Sequence, residues 1–142
     1  MISDLIQYFD HVGWVTDNLT RFEQFWVDIL GFEKISEGIL ESDMTLLLFG
    51  IPGPADVRRY SWGDDQMDIE VHVFNGGSIP TSQSFNRFGI NHCCFHVTDR
   101  EALLKQLPET VTRHIYHNPK GWKNMFIQDF EGNWIELREK FK

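Results

Sequence analysis

The chain has 142 residues, of which 42% are hydrophobic and 24% charged, and its formal net charge is −8. That length fits one compact domain, or two small modules sharing a sheet, with enough apolar residues to bury a core. The acidic excess disfavours a nucleic acid or an anionic membrane as partner, because phosphate binding needs concentrated positive charge. We therefore expect small molecules or proteins as partners.

The N-terminal segment, residues 1–11, has neither a basic region nor a long apolar run. A signal peptide needs both features and a membrane span needs a long apolar run, so we expect neither. Cys93 and Cys94 are the two cysteines, and they are adjacent. Neighbours in a strand point to opposite faces of the sheet, so a structural disulfide between them is not expected. These features together predict a cytoplasmic protein.

The first half of the chain has a pattern that predicts the element order β-α-β-β-β. Aromatic and β-branched residues from Tyr8 to Thr16 indicate a strand. An amphipathic helix ending at Gly31 is indicated by apolar residues at three- and four-residue spacing, namely Phe22, Phe25, Trp26, Ile29 and Leu30. Further strands are indicated at 32–40, 57–62 and 67–74. The pattern of the apolar segment 45–50 does not decide between helix and strand.

The second half repeats this order after a linker. Residues 76–88, rich in Gly, Ser, Pro and Thr, are typical of a crossing between two units. Strands are indicated at 90–98, 111–117, 123–129 and 133–139. A helix is expected at 101–107, with Thr98 and Glu101 as a capping box.

We interpret the chain as one domain, 1–142, made of two modules. Module 1 covers about residues 8–75 and module 2 about residues 89–140.

Each module carries one histidine at the start of a strand and one glutamate in another strand. His11 and Glu70 hold these positions in module 1, and His92 and Glu136 hold them in module 2. An approximate internal repeat is typical of a duplicated unit. Two imidazoles and two carboxylates suit a first-row divalent metal and leave one or two positions for water or substrate. The repeat therefore predicts an open metal site suited to catalysis.

Other side chains share the strand faces that carry these four residues. Residues two apart in a strand point to the same side of the sheet. We take His72 and His96 as candidate proton carriers or substrate contacts, and Cys94 as an inert thiol. Candidates for the wall of a substrate pocket are Trp14, Trp62, Phe74, Cys94, Trp122, Trp134 and Arg138.

The chain resembles the vicinal oxygen chelate superfamily in four segments, which are DHVGWVTDNLTRFEQFWVDILGFE, DIEVHVF, GINHCCFHVTD and GWKNMFIQDFEGNWIELRE. That superfamily includes glyoxalase I, methylmalonyl-CoA epimerase, extradiol dioxygenases and fosfomycin-resistance proteins. The resemblance implies an α+β fold in which two βαβββ modules form an open, barrel-like mixed sheet around a metal-binding cavity, commonly in a homodimer. It places the ligands of one divalent ion, which is Ni, Co, Zn, Mn or Fe, at His11, Glu70, His92 and Glu136. Phe130 is a departure, because the family usually has proline there.

The first function that the resemblance implies is a metal-dependent, glyoxalase-like lyase, isomerase or epimerase acting on a small oxygenated substrate. A bound metal would stabilise an enediolate, and the proton would be moved by Glu70, Glu136, His72 or His96. Val15 stands where glyoxalase I usually has an arginine for the glutathione carboxylate. Residues 50–57 stand where methylmalonyl-CoA epimerases usually carry a catalytic glutamate. These two departures argue against the activities of those two enzymes.

Two alternatives stay open. An Fe(II) extradiol-type dioxygenase would use His11, His92 and Glu136 as a facial triad. Glu70 argues against it, because a fourth protein ligand blocks a position that oxygen or substrate needs. The other alternative is a metal-free drug-binding or resistance protein with its site between dimer halves. The sequence does not decide whether one chain or two chains form each site.

Overall fold

The computed structural model of the chain describes residues 10–64, 66–78, 89–117, 119 and 123–139. The strands are β1 (His11–Val15), β2 (Glu33–Leu40), β3 (Ala55–Ser61), β4 (Asp68–Phe74), β5 (His92–His96), β6 (Arg113–His117), β7 (Lys123–Gln128) and β8 (Trp134–Arg138). The helices are α1 (Leu19–Glu23), which continues as a π-helical segment (Gln24–Ile29), α2 (Ser42–Phe49) and α3 (Arg100–Gln106).

The strands form two mixed four-stranded sheets with matching topology. The strand order is β1-β4-β3-β2 in module 1 and β5-β8-β7-β6 in module 2. In each sheet the first pair is parallel and the other pairs are antiparallel. The predicted α+β class and the pair of modules are confirmed, and over the described residues the two sheets do not close into a barrel.

The segment whose pattern was undecided is helical. It lies in α2, which Gly50 ends in the left-handed conformation at φ 69°, a position where glycine carries no steric penalty. Thr45 is the buried residue of α2, and its hydroxyl donates to the carbonyl oxygens of Leu40 and Glu41. The apolar residues of α2 are exposed on several sides at once, so they show no single stripe of helical period. They are Met44, Leu46, Leu47, Leu48 and Phe49.

The capping-box prediction for α3 is wrong, because the N-cap is Asp99 rather than Thr98. The Asp99 carboxylate accepts a hydrogen bond of 2.8 Å from the Ala102 amide. Aspartate is favoured here because its short side chain reaches the free amides of the first helical turn. The Arg100 amide donates to Glu139 Oε1 at 2.7 Å, which ties the start of α3 to the end of β8.

Buried apolar residues from both modules form one hydrophobic cluster. It contains Phe22, Phe25, Trp26, Phe32, Tyr60, Ile69, Val71, Leu104, Leu107, Val111, Met125, Ile127, Ile135 and Leu137. Aromatic rings join the modules, since Phe95 lies 4.8 Å from Trp62 and 6.3 Å from Trp26 between ring centroids. Phe130, at the position where proline is usual, packs edge-on against Phe25 at 5.5 Å. One face of each sheet is buried in this cluster. Because side chains alternate along a strand, the four predicted ligands lie on the opposite faces.

Among the described residues, none of the helices has the length and apolar character needed to cross a membrane.

Candidate metal centre

The predicted ligands of module 1 lie together on the parallel strands β1 and β4. Gly13 pairs with Glu70 in the strand register, and His11 lies two residues before Gly13 on the same face. His11 Nε2 is 3.7 Å from Glu70 Oε1. Both side chains are partly exposed, at 36% and 27%. We call this pair the N-terminal half-site.

The predicted ligands of module 2 repeat this arrangement on β5 and β8. Cys94 pairs with Glu136, and His92 lies two residues before Cys94. His92 Nε2 is 3.5 Å from Glu136 Oε2. We call this pair the C-terminal half-site.

The donor atoms of each half-site have nearly the separation that one shared metal ion requires. A first-row ion lies about 2.1 Å from an imidazole nitrogen or a carboxylate oxygen, so two of its ligands are roughly 3.0–3.4 Å apart. The observed distances of 3.7 and 3.5 Å exceed this range by a few tenths of an ångström, which a small carboxylate rotation removes. The residues present therefore fit a divalent metal.

The two half-sites do not combine into one site within a chain. In the described part of the chain, no three His, Cys, Asp or Glu side chains lie close enough together to hold a metal ion. One chain thus presents two separate pairs of ligands.

Each ligand histidine uses its second ring nitrogen to contact the residue just before it in the chain. His11 Nδ1 is 2.7 Å from Asp10 Oδ2, and His92 Nδ1 is 2.5 Å from Asn91 Oδ1. Sequence reasoning missed both partners, although the pairs Asp-His and Asn-His at equivalent positions were a visible signal. These contacts aim Nε2 of each ring towards the glutamate.

The face around the N-terminal half-site is lined by aromatic rings. His72 Nε2 is 3.4 Å from Glu70 Oε1, and the His72 side chain is only 12% exposed. The ring of His72 stacks on Phe74 at 5.8 Å and meets Phe49 of α2 edge-on at 5.5 Å. The structure thus places the predicted residues His72 and Phe74 beside Glu70.

A cavity of about 410 Å³ opens beside this face. Its wall includes Leu48 and Phe49 from α2, together with Ile39, Val57 and the ligand Glu70. Sequence reasoning missed the contribution of α2, because a short segment that is apolar all round gives no periodic signal.

The face around the C-terminal half-site is more polar. The Cys94 thiol donates to the carbonyl oxygen of Phe95 at 3.9 Å, and burial and the nearby Glu136 carboxylate raise the pKa of Cys94 to about 11. The thiol is therefore protonated at neutral pH, which is the state expected of an inert cysteine. His96 pairs with Arg138 in the register of β5 and β8, two residues beyond the pair of Cys94 and Glu136. Both residues are exposed. His96 and Arg138 thus lie at the open end of this face.

The remaining predicted pocket residues are spread over several places. Trp134 contacts the ring of His114 at 4.2 Å and borders a groove that His92 and Trp14 also border. Trp14 itself points to the face opposite His11 and packs edge-on against Trp26 at 5.4 Å. Trp62 belongs to the aromatic contact between the modules. Trp122 lies outside the described residues.

A family model for the glyoxalase/bleomycin resistance protein/dioxygenase superfamily matches residues 10–126. The chain belongs to this superfamily. The matched region of this chain includes His11, Glu70 and His92, and it ends before Glu136. No curated protein sequence matches the chain significantly.

Solved structures of other proteins of this superfamily share the fold. A glyoxalase family protein from Bacillus cereus is 17% identical, with a TM-score of 0.78 and 96% of each chain covered. The trypanothione-dependent glyoxalase I of Leishmania major is 15% identical, with a TM-score of 0.68 over 95% of this chain and 88% of that one. The fosfomycin resistance protein FosX from Mesorhizobium loti is 13% identical, with a TM-score of 0.61 over 94% of this chain and 91% of that one. At these identities the likeness shows the fold alone.

Proposed function

We propose that the protein is a metal-dependent isomerase, epimerase or lyase, whose site combines an N-terminal half-site with a C-terminal half-site from a second copy of the chain. The observation that carries this proposal is the repeated pair of histidine and glutamate at the same strand register in both modules. Two such pairs provide the nitrogen and oxygen donors of a divalent ion and leave coordination positions open. When bound, that ion polarises neighbouring substrate oxygens and makes the adjacent C–H bond more acidic.

The second copy is part of the proposal because the described residues of one chain do not bring three or more possible metal ligands together. A symmetric dimer contains two of each half-site, so it can form two complete sites. The exposed apolar side chains of module 1 are further support, since contiguous patches of this kind mark interaction surfaces. They include Ile35, Ile39, Leu46, Leu47, Leu48 and Phe49.

We assign the proton transfer to Glu70. Its carboxylate lies between His11 and His72, at 3.7 and 3.4 Å, so a proton taken by Glu70 can be held or passed on by His72. Glu136 is less exposed, at 18% against 27% for Glu70. Glu136 is therefore better suited to remain a fixed ligand, and Glu70 to move.

The cavity beside Glu70 indicates the substrate class. Among the described residues that line it there is no lysine or arginine; one side is apolar, with Ile39, Leu48 and Phe49, and Glu37 lies on the wall together with Glu70. Such a wall accommodates an uncharged apolar group. The substrate we propose is a small hydroxy or oxo compound that places its oxygens near Glu70 and an apolar group against α2.

Elemental analysis of freshly purified protein tests this proposal. We expect about one Ni, Co, Zn or Mn ion per chain and loss of that ion in a His11→Ala variant. With the metal present, a panel of α-hydroxyketones and 2-oxo acids is screened in D2O by NMR for deuterium uptake at the carbon next to the carbonyl. Stoichiometric iron would instead support the dioxygenase, and failure to take up any added metal would contradict both enzymes.

A further inference from the structure

The residues that precede the two ligand histidines contact the same ring nitrogen but differ in chemistry. Asp10 faces His11 Nδ1, and Asn91 faces His92 Nδ1. A neutral imidazole carries one hydrogen, and only its other nitrogen can bind a metal ion. The partner of Nδ1 therefore decides whether Nε2, the nitrogen that faces the glutamate, is available.

An ionised carboxylate at Asp10 permits only one tautomer of His11. It can only accept hydrogen bonds, so the 2.7 Å contact with Asp10 Oδ2 requires the hydrogen on Nδ1. The Asn91 side chain can accept through Oδ1 or, after a flip of its amide group, donate through Nδ2. Asn91 is thus compatible with either tautomer of His92.

A clamp from β3 holds Asp10 in this role. Arg59 Nη2 lies 2.6 Å from Asp10 Oδ2, while Arg59 Nε lies 2.8 Å from Asp68 Oδ2 on β4. The same Asp10 oxygen thus faces a guanidinium, which can only donate, and this pairing holds Oδ2 as an acceptor towards the imidazole.

We propose that Asp10, clamped by Arg59, is a positioning residue that fixes His11 as the Nδ1-protonated tautomer, with Nε2 ready to accept a metal ion. The N-terminal half-site is then preset for metal. The consequence for metal binding rests on the proposed function, but the tautomer does not. Loss of such an outer partner typically weakens metal binding by about 10- to 100-fold.

The experiment uses metal-free protein labelled with 15N at histidine. Long-range 1H–15N NMR spectra report which nitrogen of His11 carries the hydrogen. We expect Nδ1 to carry it in the unmodified chain. In Asp10→Asn the hydrogen shifts towards Nε2, the nitrogen that carries it in most solvated histidines. Zn²⁺ affinity, measured by competition with a chelator, then falls by about 10- to 100-fold.

A matched control is Asp68→Asn. It removes the same charge and the other carboxylate partner of Arg59; Asp68 lies opposite His11 in the strand register, but its carboxylate bonds to Arg59 and not to the imidazole. We expect the His11 tautomer to be unchanged in this variant. The reverse substitution, Asn91→Asp, is expected to place the hydrogen of His92 entirely on Nδ1.

Three results separate this proposal from the proposed function. If His11 carries its hydrogen on Nε2 in the unmodified chain, the role of Asp10 is overturned. If Asp10→Asn and Asp68→Asn change the tautomer equally, the effect is one of general charge, and the role is again overturned. If only Asp10→Asn changes the tautomer but no variant binds Zn²⁺, the assignment of Asp10 is supported and the metal-dependent function fails.

Discussion

In both modules the ligand histidine lies two residues before the strand position that pairs with the ligand glutamate. That position is Gly13 in module 1 and Cys94 in module 2. The residue two positions after the glutamate also differs, since it is the largely buried His72 in one module and the exposed Arg138 in the other. Module 1 further carries α2, whereas in module 2 only residues 118–122 separate β6 from β7.

This comparison separates two levels of structure. The parallel strand pair and its register are common to both modules, so each produces a histidine and a glutamate at metal-binding distance. The neighbouring side chains differ between the two modules, and they give the half-sites different chemical surroundings. The N-terminal half-site has a second imidazole and an apolar wall beside it, while the C-terminal half-site has a less exposed carboxylate beside the Cys94 thiol.

The strongest test of the comparison asks whether the half-sites of different chains complete each other. We expect His11→Ala and His92→Ala each to lose the metal ion, because each removes one of two nitrogen ligands from every site. When the two variants are mixed under conditions that allow subunit exchange, heterodimers contain one intact site. The mixture should recover about a quarter of the unmodified metal content, since half of the dimers are mixed and each has one intact site of two. Elemental analysis after gel filtration measures this, and no recovery after verified exchange would rule out the shared site.

The next test separates the roles of the two glutamates. Under saturating metal we expect Glu70→Gln to lower kcat by about 10²- to 10⁴-fold, because an amide cannot take the proton. Glu136→Gln should act mainly on metal affinity and recover much of its kcat at high metal concentration. Steady-state kinetics with a substrate from the deuterium screen measures both variants. The reverse pattern would make Glu136 the base, and full turnover in both variants would eliminate the proposed chemistry.

A third test compares the hairpin turns of the two modules. Asp129 is buried and accepts hydrogen bonds from the amides of Glu131 and Asn133 and from the Asn133 side chain. We expect Asp129→Ala to lower the free energy of unfolding by about 2 kcal/mol, because these buried donors lose their partner.

The matched variant is Ser61→Ala in the turn of module 1. The Ser61 hydroxyl contacts only the exposed backbone of Gly63 in this turn, so its loss should change the free energy of unfolding by at most about 0.5 kcal/mol. Urea titrations followed by circular dichroism compare the two variants. Equal effects would show that Asp129 does not hold its turn.

The smallest expected effect concerns the apolar wall of the N-terminal half-site. Phe49 is 46% exposed and contacts His72 and Phe74 through its ring. We expect Phe49→Ala to raise KM by roughly tenfold, the loss of about 1–2 kcal/mol of apolar contact with substrate, with little change in kcat. Leu47→Ala, at a more exposed position of the same helix, is the control and should leave KM unchanged unless the dimer is disturbed. A fall in kcat without a change in KM would show that Phe49 orients His72 and does not bind substrate.

The sequence by itself was enough to predict the two modules and which side chains of one strand share a face. Both depend on local rules, since alternation along a strand decides which side chains share a face and a repeated pattern implies a repeated unit. Glu70 could therefore be placed on one face with His72 from residue spacing alone, whereas the set of four ligands was predicted from the repeat and the resemblance. The core aromatic residues of the first helix, such as Phe22 and Trp26, were predictable for the same reason.

Only the tertiary structure decided how these parts relate to one another. Arg59 clamps Asp10 across 49 residues of chain, and no local pattern encodes such a contact. Neighbouring elements decide which sides of α2 are covered. The apolar residues of α2 therefore show no helical period in the sequence. The separation of the two half-sites within one chain likewise depends on how the sheets pack. The local sequence pattern thus predicts the metal ligands, whereas the assembly of a complete site depends on long-range packing.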